Sequence, residues 1–424
     1  MTARPTARLA GYAAIVALGA FSAVTLDRIA ALALVVPFAL WLAWGLAFAA
    51  PPELELRGDL DRDRAAEGDE VLLEAELRCR GRLAFLELQL GLPGEVACDL
   101  PQARARILPR PDLPETVRWR LTPRLWGSYR IGPVEFRAED PLGIIRYSGH
   151  LGEPIPLRVY PAWERLRKLV SPARTQLFAG NRIARQHGDG IEFADIRAFA
   201  PGDRVRRINW RVTARTGVPF VNDFHLERNA DVILFLDSFA NLGSDLDSVL
   251  SLAVRAAAAL ADGYLGSRDR IGVIGFGGVL RWILPGMGPR HFYRVVETLI
   301  ETEAVTSFAR RQIDVIPSRV LPPAATVIAL SPLLDARTVG ALVDLHRRGF
   351  DLMVLEISPE RFLPREGRGI DPAALRLWRL LRQARRRSLQ RAGLIVLEWP
   401  EGVALETVLG QAREYRRFAR RSTA

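Results

Sequence analysis

The chain has 424 residues, 49% of them hydrophobic and 25% charged, a globular balance that excludes global disorder and predicts two or three structural units of about 150 residues each. Its formal net charge is +11, and among 59 lysines and arginines Lys168 is the only lysine. Lys168 lies in Arg167-Lys168-Leu169-Val170, outside any G-x-x-x-x-G-K-[ST] loop, so the chain is not a P-loop ATPase. Its two cysteines, Cys79 and Cys98, exclude a four-thiolate zinc site and a disulfide-stapled scaffold.

At the N-terminus, Leu9 to Leu26 and Ile29 to Ala50 are runs without formal charge, separated by Asp27-Arg28. At about 1.5 Å per residue they reach about 27 and about 33 Å, near the hydrocarbon thickness of a bilayer. A cleaved signal peptide is the rival reading. No clean A-x-A site precedes Asp27 and a second apolar run follows at once, so a transmembrane helical hairpin over residues 1–52 is expected, stopped by Pro51-Pro52. Arg4 and Arg8 precede the first run, and Arg57, Arg62 and Arg64 follow the second. The positive-inside rule then predicts the bacterial inner membrane, contacted through residues 9–50, with both termini and the soluble domains in the cytoplasm.

Residues 53–160 change to short alternating segments, including Val71 to Leu77, Phe85 to Leu90, Glu115 to Leu121, Gly127 to Ile131 and Val134 to Glu139. About seven strands of this kind predict a small antiparallel β-sandwich. A Cys79–Cys98 bridge would suit such a domain only outside the cytoplasm, against the expected topology.

Residues 161–230 hold the most distinctive stretch, and residues 231–424 alternate strands with helices. Val232 to Leu236 is a continuous apolar run, as in a parallel strand buried on both faces, followed by a helix over Leu246 to Leu265. Further strands are predicted at Ile271 to Phe276, Thr326 to Leu330, Leu352 to Ile357 and Leu394 to Trp399. Helices are predicted at Arg290 to Glu303, Ala336 to Arg348, Pro372 to Ala392 and Ala404 to Arg420. This order specifies a doubly wound α/β domain with its crevice at the carboxyl ends of the strands. The basic run from Arg361 to Arg391 reads as a solvated helix face rather than an anion-binding surface.

The distinctive stretch combines Gly190, Phe193, Arg197, Phe199, Pro201-Gly202-Asp203, Arg206, Ile208-Asn209-Trp210 and Ala214-Arg215. Pro201-Gly202-Asp203 is a turn signal, beyond which Arg206 can pair with Asp203 while Ile208 and Trp210 pack. Arginines outnumber acids here, and planar guanidinium groups bind oxyanions bidentately. Two readings follow for Arg197, Pro201, Gly202, Asp203, Arg206, Asn209, Trp210 and Arg215: an internal brace, or a surface for a partner.

This pattern resembles the bacterial "domain of unknown function 58" family, whose consensus reads approximately G-x-x-F-x-x-x-R-x-Y-x-P-G-D-x-x-R-x-I-D-W-x-x-x-A-R. Phe199 stands where the family has Tyr, and Asn209 where it has Asp. Trp126 to Pro133 and Asp140-Pro141-Leu142-Gly143-Ile144 are also similar to the family. The resemblance implies two membrane spans, a β-rich region and a C-terminal von Willebrand factor A-like fold, in accessory proteins linked with MoxR-type AAA+ ATPases.

A von Willebrand A domain that binds Mg²⁺ carries D-x-S-x-S after its first strand. Here the matching stretch is Asp237-Ser238-Phe239-Ala240-Asn241, with Ser331-Pro332-Leu333-Leu334-Asp335 after a later strand. Phe239 cannot coordinate a cation, so no metal or other cofactor is expected, and Asp237, Asn241 and Asp335 remain only degenerate candidates. The five histidines are scattered, and neither H-E-x-x-H nor G-x-S-x-G occurs, so no catalytic residue is predicted. The expected function is a membrane-tethered, non-enzymatic interaction or accessory protein, a partner of a cytoplasmic MoxR-type AAA+ ATPase in chaperone-like or envelope-support work. The alternative is a membrane-bound hydrolase acting on envelope material. Nucleic-acid binding rests on the basic balance alone and is not expected.

Overall fold

The computed structural model describes residues 1–25, 32–47, 51–110, 113–172, 183–200, 203, 205–227, 230–244, 247–302, 316, 321–323, 325–363 and 371–421. The chain divides into two compact units, Met1–Tyr160 and Pro161–Ala424.

The first unit runs β1 (Thr2–Pro5), α1 (Ala7–Thr25), α2 (Leu32–Ala47), β2 (Glu53–Leu60), β3 (Arg64–Ala66), β4 (Val71–Arg80), β5 (Phe85–Leu90) and β6 (Val96–Cys98). It continues through β7 (Arg104–Ile107), β8 (Glu115–Pro123), β9 (Gly127–Ile131), β10 (Val134–Glu139), β11 (Ile145–Leu151) and β12 (Ile155–Tyr160). These strands form a five-stranded sheet β1-β11-β10-β5-β7, a four-stranded sheet β2-β4-β8-β6 and a three-stranded sheet β3-β12-β9. Period-two alternation drives the packing: Val71, Leu73, Ala75, Leu77 and Cys79 of β4 point inward with Val117, Trp119 and Leu121 of β8. Trp119 is fully buried, and its indole N–H donates to the Ala103 carbonyl at 3.2 Å.

Two expectations are corrected in this unit. The seven-stranded antiparallel sandwich is replaced by three sheets that include a parallel pair, β3 with β12. Three-residue strands such as β3 and β6 are too short to carry an alternation signal. The pair of N-terminal transmembrane helices is overturned as well. Among the described residues the N-terminal apolar helical segments, Ala7–Ser22 and Val35–Ala47, are shorter apolar helices and neither qualifies as a candidate membrane span. Among the described residues only Val249–Gly266 is long and apolar enough to cross a membrane, and it is largely buried in the second unit. The expected turn at Asp27-Arg28 lies outside the described residues.

The N-terminal helices are instead tied to the β-rich body. Strand β1 pairs antiparallel with β11, and the Thr6 hydroxyl donates to the Gly143 carbonyl at 2.6 Å. Asp140 shapes this landing point, accepting from the Ile145 N–H at 2.6 Å and the Leu142 N–H at 3.1 Å, while Gly143 adopts φ +66°. A side chain at Gly45 of α2 would meet Leu142 and Ile144, so the Asp140 to Ile144 motif is a seat for the helices. Cys79 and Cys98 are free thiols and form no bridge.

The second unit runs β13 (Ile183–Ala198), α3 (Trp210–Thr216), β14 (Phe220–Glu227), β15 (Asp231–Asp237), α4 (Val249–Gly266), β16 (Arg270–Phe276), β17 (Arg281–Gly286) and α5 (Pro289–Ile300). After these come β18 (Thr326–Ser331), α6 (Ala336–Arg347), β19 (Asp351–Ile357), α7 (Pro372–Arg391), β20 (Ile395–Trp399) and α8 (Leu405–Arg421). The main sheet has the order β17-β16-β15-β18-β19-β20, parallel except for the antiparallel edge strand β17. Every residue of β15 is buried, as expected of a central strand covered on both faces. The chain leaves β15 to one side for β16 and later returns to the other side for β18, which makes the β15/β18 boundary the switch point of the sheet. The von Willebrand factor A-like expectation is corrected to this coarser description, a six-stranded mixed α/β sheet with one antiparallel edge.

The arginine run on α7 is also not a uniformly solvated face. Arg382 is 7% exposed and donates to Glu356 at 2.6 Å, and Arg386 donates to Glu356 and Glu398 at 2.5 and 2.6 Å. These acids lie on β19 and β20, far away in sequence.

Candidate functional site

The signature is built on the antiparallel pair β13 and β14, with Arg197 opposite Val221 and Ala198 opposite Phe220. The intervening segment folds back on this pair: the Phe199 N–H donates to the Pro219 carbonyl at 2.9 Å, and the Asn209 N–H to the Phe220 carbonyl at 2.8 Å. It carries a short 3-10 turn at Val205–Arg207 and the helix α3.

Two side-chain clamps hold it. Arg197 forms a bidentate pair with Asp203 at 2.7 and 2.6 Å, and the same carboxylate accepts from the Ala200 N–H at 2.8 Å. Asn209 caps α3, its carbonyl oxygen accepting from the Val212 N–H at 3.2 Å, while its amide donates to Asn222 at 2.7 Å. This second bond gives a reason for Asn where the family pattern has Asp, because a carboxylate has no proton to donate to the Asn222 oxygen. Gly217 ends the helix at φ +71°, its N–H returning to the Thr213 carbonyl at 2.9 Å.

The geometry thus sorts the predicted residues into two groups. Arg197, Asp203 and Asn209 are braces. Arg206, Trp210 and Arg215 are exposed, Trp210 by 67%, and Val205, Arg211 and Val218 are exposed beside them in the same segment. The expected Arg206–Asp203 pair does not form, since Arg197 takes the carboxylate, and Trp210 does not pack inward. Pro201 and Gly202 lie outside the described residues, as does the side chain of Phe193 in the pattern. Asn222 and Val218 escaped sequence reasoning. Asn222 has no local pattern to mark it, and a lone exposed valine carries no signal.

The second candidate location is the switch point. Asp237 ends β15 and Ser331 ends β18; the serine hydroxyl donates to the Asp237 carboxylate at 2.6 Å, and the Phe239 N–H donates to its other oxygen at 3.1 Å. Asp237 is 1% exposed and Ser331 fully buried. Burial pushes the Asp237 carboxyl up to about 6, against the hydrogen bonds from Ser331 and Phe239 that favour its charged form. The buried Thr338 hydroxyl also favours the charged form, although it makes no hydrogen bond of full geometry. The Asp335 carboxylate adds a smaller upward push.

The remaining metal candidates face other tasks. Asp335 caps α6 and pairs with Arg337 at 2.8 Å, which holds its carboxyl below the usual range. Asn241 accepts from the Leu250 N–H at 3.1 Å, in the first turn of α4. The Arg337 guanidinium lies 3.8 Å over the Phe239 ring. Among the described residues no group of three His, Cys, Asp or Glu side chains is placed to hold a metal ion.

Residues 195–368, which take in the braced segment, match the family described as "Protein of unknown function DUF58". Uncharacterized protein Rv1480 of Mycobacterium tuberculosis is 32% identical over 123 residues, 28% of this chain and 39% of the relative. Uncharacterized protein YeaD of Bacillus subtilis is 26% identical over 116 residues, 27% of this chain and 29% of the relative. The chain therefore spans well under half the length of the curated relatives it matches. Among solved structures, the cupredoxin domain of amoB from Nitrosocaldus yellowstonii covers 26% of this chain and 86% of its own at 13% identity, with a TM-score of 0.19 that carries no argument.

Proposed function

We propose that this chain is a membrane-tethered, non-enzymatic accessory protein whose signature segment docks a cytoplasmic protein partner, of the MoxR-type AAA+ class that the family resemblance implies. The observation that carries this reading is the 67% exposure of Trp210 among exposed Arg206, Arg211 and Arg215, on a segment where Arg197, Asp203 and Asn209 are locked internally. Exposed tryptophan and arginine on a rigid frame is the composition of an interface hot spot. A loop without function would not need two clamps to hold an apolar ring in water. The tether in this proposal is the N-terminal apolar segment, where Leu18, Phe21, Trp41 and Trp44 are exposed, and the location is the bacterial inner membrane with the body on its cytoplasmic side.

The hydrolase alternative draws less support. The Ser331–Asp237 pair has the chemistry of a hydroxyl beside a base, but both groups are buried away from any substrate. The test is co-purification of the detergent-solubilised chain with a MoxR-type ATPase. Trp210→Ala, alone and with Arg206→Ala and Arg215→Ala, is expected to abolish capture without lowering the melting temperature. Undiminished capture by the folded triple variant overturns the assignment of the surface, and no capture by the parent chain overturns the partner class.

A further inference from the structure

Helix α7 is anchored by one face and leaves an apolar stripe on the other. Arg382 and Leu389 are buried, and the Arg382 guanidinium also stacks 5.0 Å from the centre of the Trp378 ring. On the opposite side Leu377, Leu380 and Leu381 are 59%, 61% and 61% exposed. Their spacing of i, i+3 and i+4, continued by exposed Ala384 at i+7, is that of a helix face made for a second helix. Core packing cannot explain this stripe, because the face that packs is the other one.

Charge selects the occupant. Helix α7 carries seven arginines and no acid over Pro372–Arg391. Glu356, Glu360 and Glu398 pair with Arg379, Arg382 and Arg386, and Arg385 donates to the Leu333 carbonyl at 2.5 Å. Arg376, Arg387 and Arg391 remain exposed beside the leucines, without an acidic partner among the described residues. A second copy of α7 would set these three arginines against themselves. A flat anionic bilayer would press phosphate charge onto Glu360 and Glu398, which line the groove along the helix beside Arg376 and Leu380. An acidic amphipathic helix presents one line of carboxylates rather than a plane of phosphates, so its apolar face covers the leucines while its acids sit opposite the exposed Arg376, Arg387 and Arg391.

We infer that the exposed face of α7 is a docking site for an acidic amphipathic helix of a protein partner, with Leu377, Leu380 and Leu381 as anchors and Arg376, Arg387 and Arg391 as selectors. The stripe from Leu377 to Ala384 covers about two turns, so about eight residues of partner helix engage it. This goes beyond the signature surface and stands or falls separately from it.

The experiment uses the detergent-solubilised full chain and a fluorescein-labelled three-heptad peptide with Leu at a and d and Glu at e and g, alongside the same peptide with Lys at e and g. Fluorescence anisotropy is expected to give at least about tenfold tighter binding of the acidic peptide, a difference of about 1.4 kcal/mol. Leu377→Asp with Leu380→Asp is expected to remove binding, whereas Leu380→Met retains it. Arg376→Glu with Arg387→Glu is expected to invert the preference toward the basic peptide. Trp210→Ala leaves peptide binding unchanged, which separates failure here from failure of the proposed function. All sites are exposed, and circular dichroism confirms that the variants fold.

Equal affinity for both peptides, or binding indifferent to the leucine substitutions, overturns the inference. So does absence of peptide binding accompanied by loss, in the leucine variant, of binding to phosphatidylglycerol vesicles, which would make the face lipid-binding. Loss of self-association in the leucine variant without peptide binding would make the occupant a second copy and overturns it equally.

Discussion

Arg197 grips Asp203 through both guanidinium nitrogens, at 2.7 and 2.6 Å, across a loop in which Pro201 and Gly202 intervene. The carboxylate side chain is 18% exposed and the arginine 44%, so solvent screens part of the attraction. A double-mutant cycle with Arg197→Ala and Asp203→Ala is expected to return a coupling of about 1 kcal/mol. Asp203→Ala is expected to cost more than Arg197→Ala in urea unfolding, because it also strands the Ala200 N–H. Coupling near zero would remove the brace.

Asn209 carries two bonds of different kinds, a cap to Val212 and an amide donation to Asn222. Asn209→Ala is expected to destabilise by about 1–2 kcal/mol, the sum of a lost N-cap and an unpaired partner. Asn209→Asp keeps the cap and loses the donor, so its cost should be smaller. Thermal unfolding of both variants checks the order, and a larger cost for Asp than for Ala contradicts the assignment.

Asp237 gives the α/β unit a pH-dependent contribution to stability. Its carboxyl lies near 6 in the folded chain, above its value of 3.8 when unperturbed. The folded state therefore binds more proton than the unfolded state between about pH 4 and 6, and this group's stabilisation falls as pH rises through that window. The loss is on the order of 2–3 kcal/mol. Chemical unfolding of the parent chain and Asp237→Asn at pH 4.5 and 7 isolates it. The variant should gain on the parent as pH rises, and a constant difference between the two would refute the shifted carboxyl.

Glu356 is 1% exposed and accepts from Arg382 at 2.6 Å and Arg386 at 2.5 Å. Its removal leaves buried Arg382 with only the longer, 3.2 Å pair to the part-exposed Glu360, so Glu356→Ala is expected to cost about 3 kcal/mol. Glu360→Ala, at a 35% exposed side chain, should cost under about 1 kcal/mol. Similar costs for the two would place the network's energy elsewhere.

The sequence alone determined the elements whose signal is local. Val232 to Leu236 had to be a central strand because five successive apolar side chains require burial on both faces, and β15 occupies those positions. Alternation in Val71 to Leu77 likewise defined β4 and its inward set. The signature was legible as a unit, and residues 195–368 match its family.

Tertiary structure decided what depends on partners distant in the chain. Arg197 and Arg206 both flank Asp203 in sequence, and only the return of β14 alongside β13 determines which of them reaches the carboxylate. Asn209 gained its reason from Asn222, and the arginines of α7 theirs from acids on β19 and β20. The N-terminal apolar runs were long enough on paper. What they could not reveal is that β1 pairs with β11 and Thr6 with Gly143, 137 positions away. Periodicity reports the face of an element, whereas pairing of charges and ends of helices are settled by what the rest of the fold brings beside them.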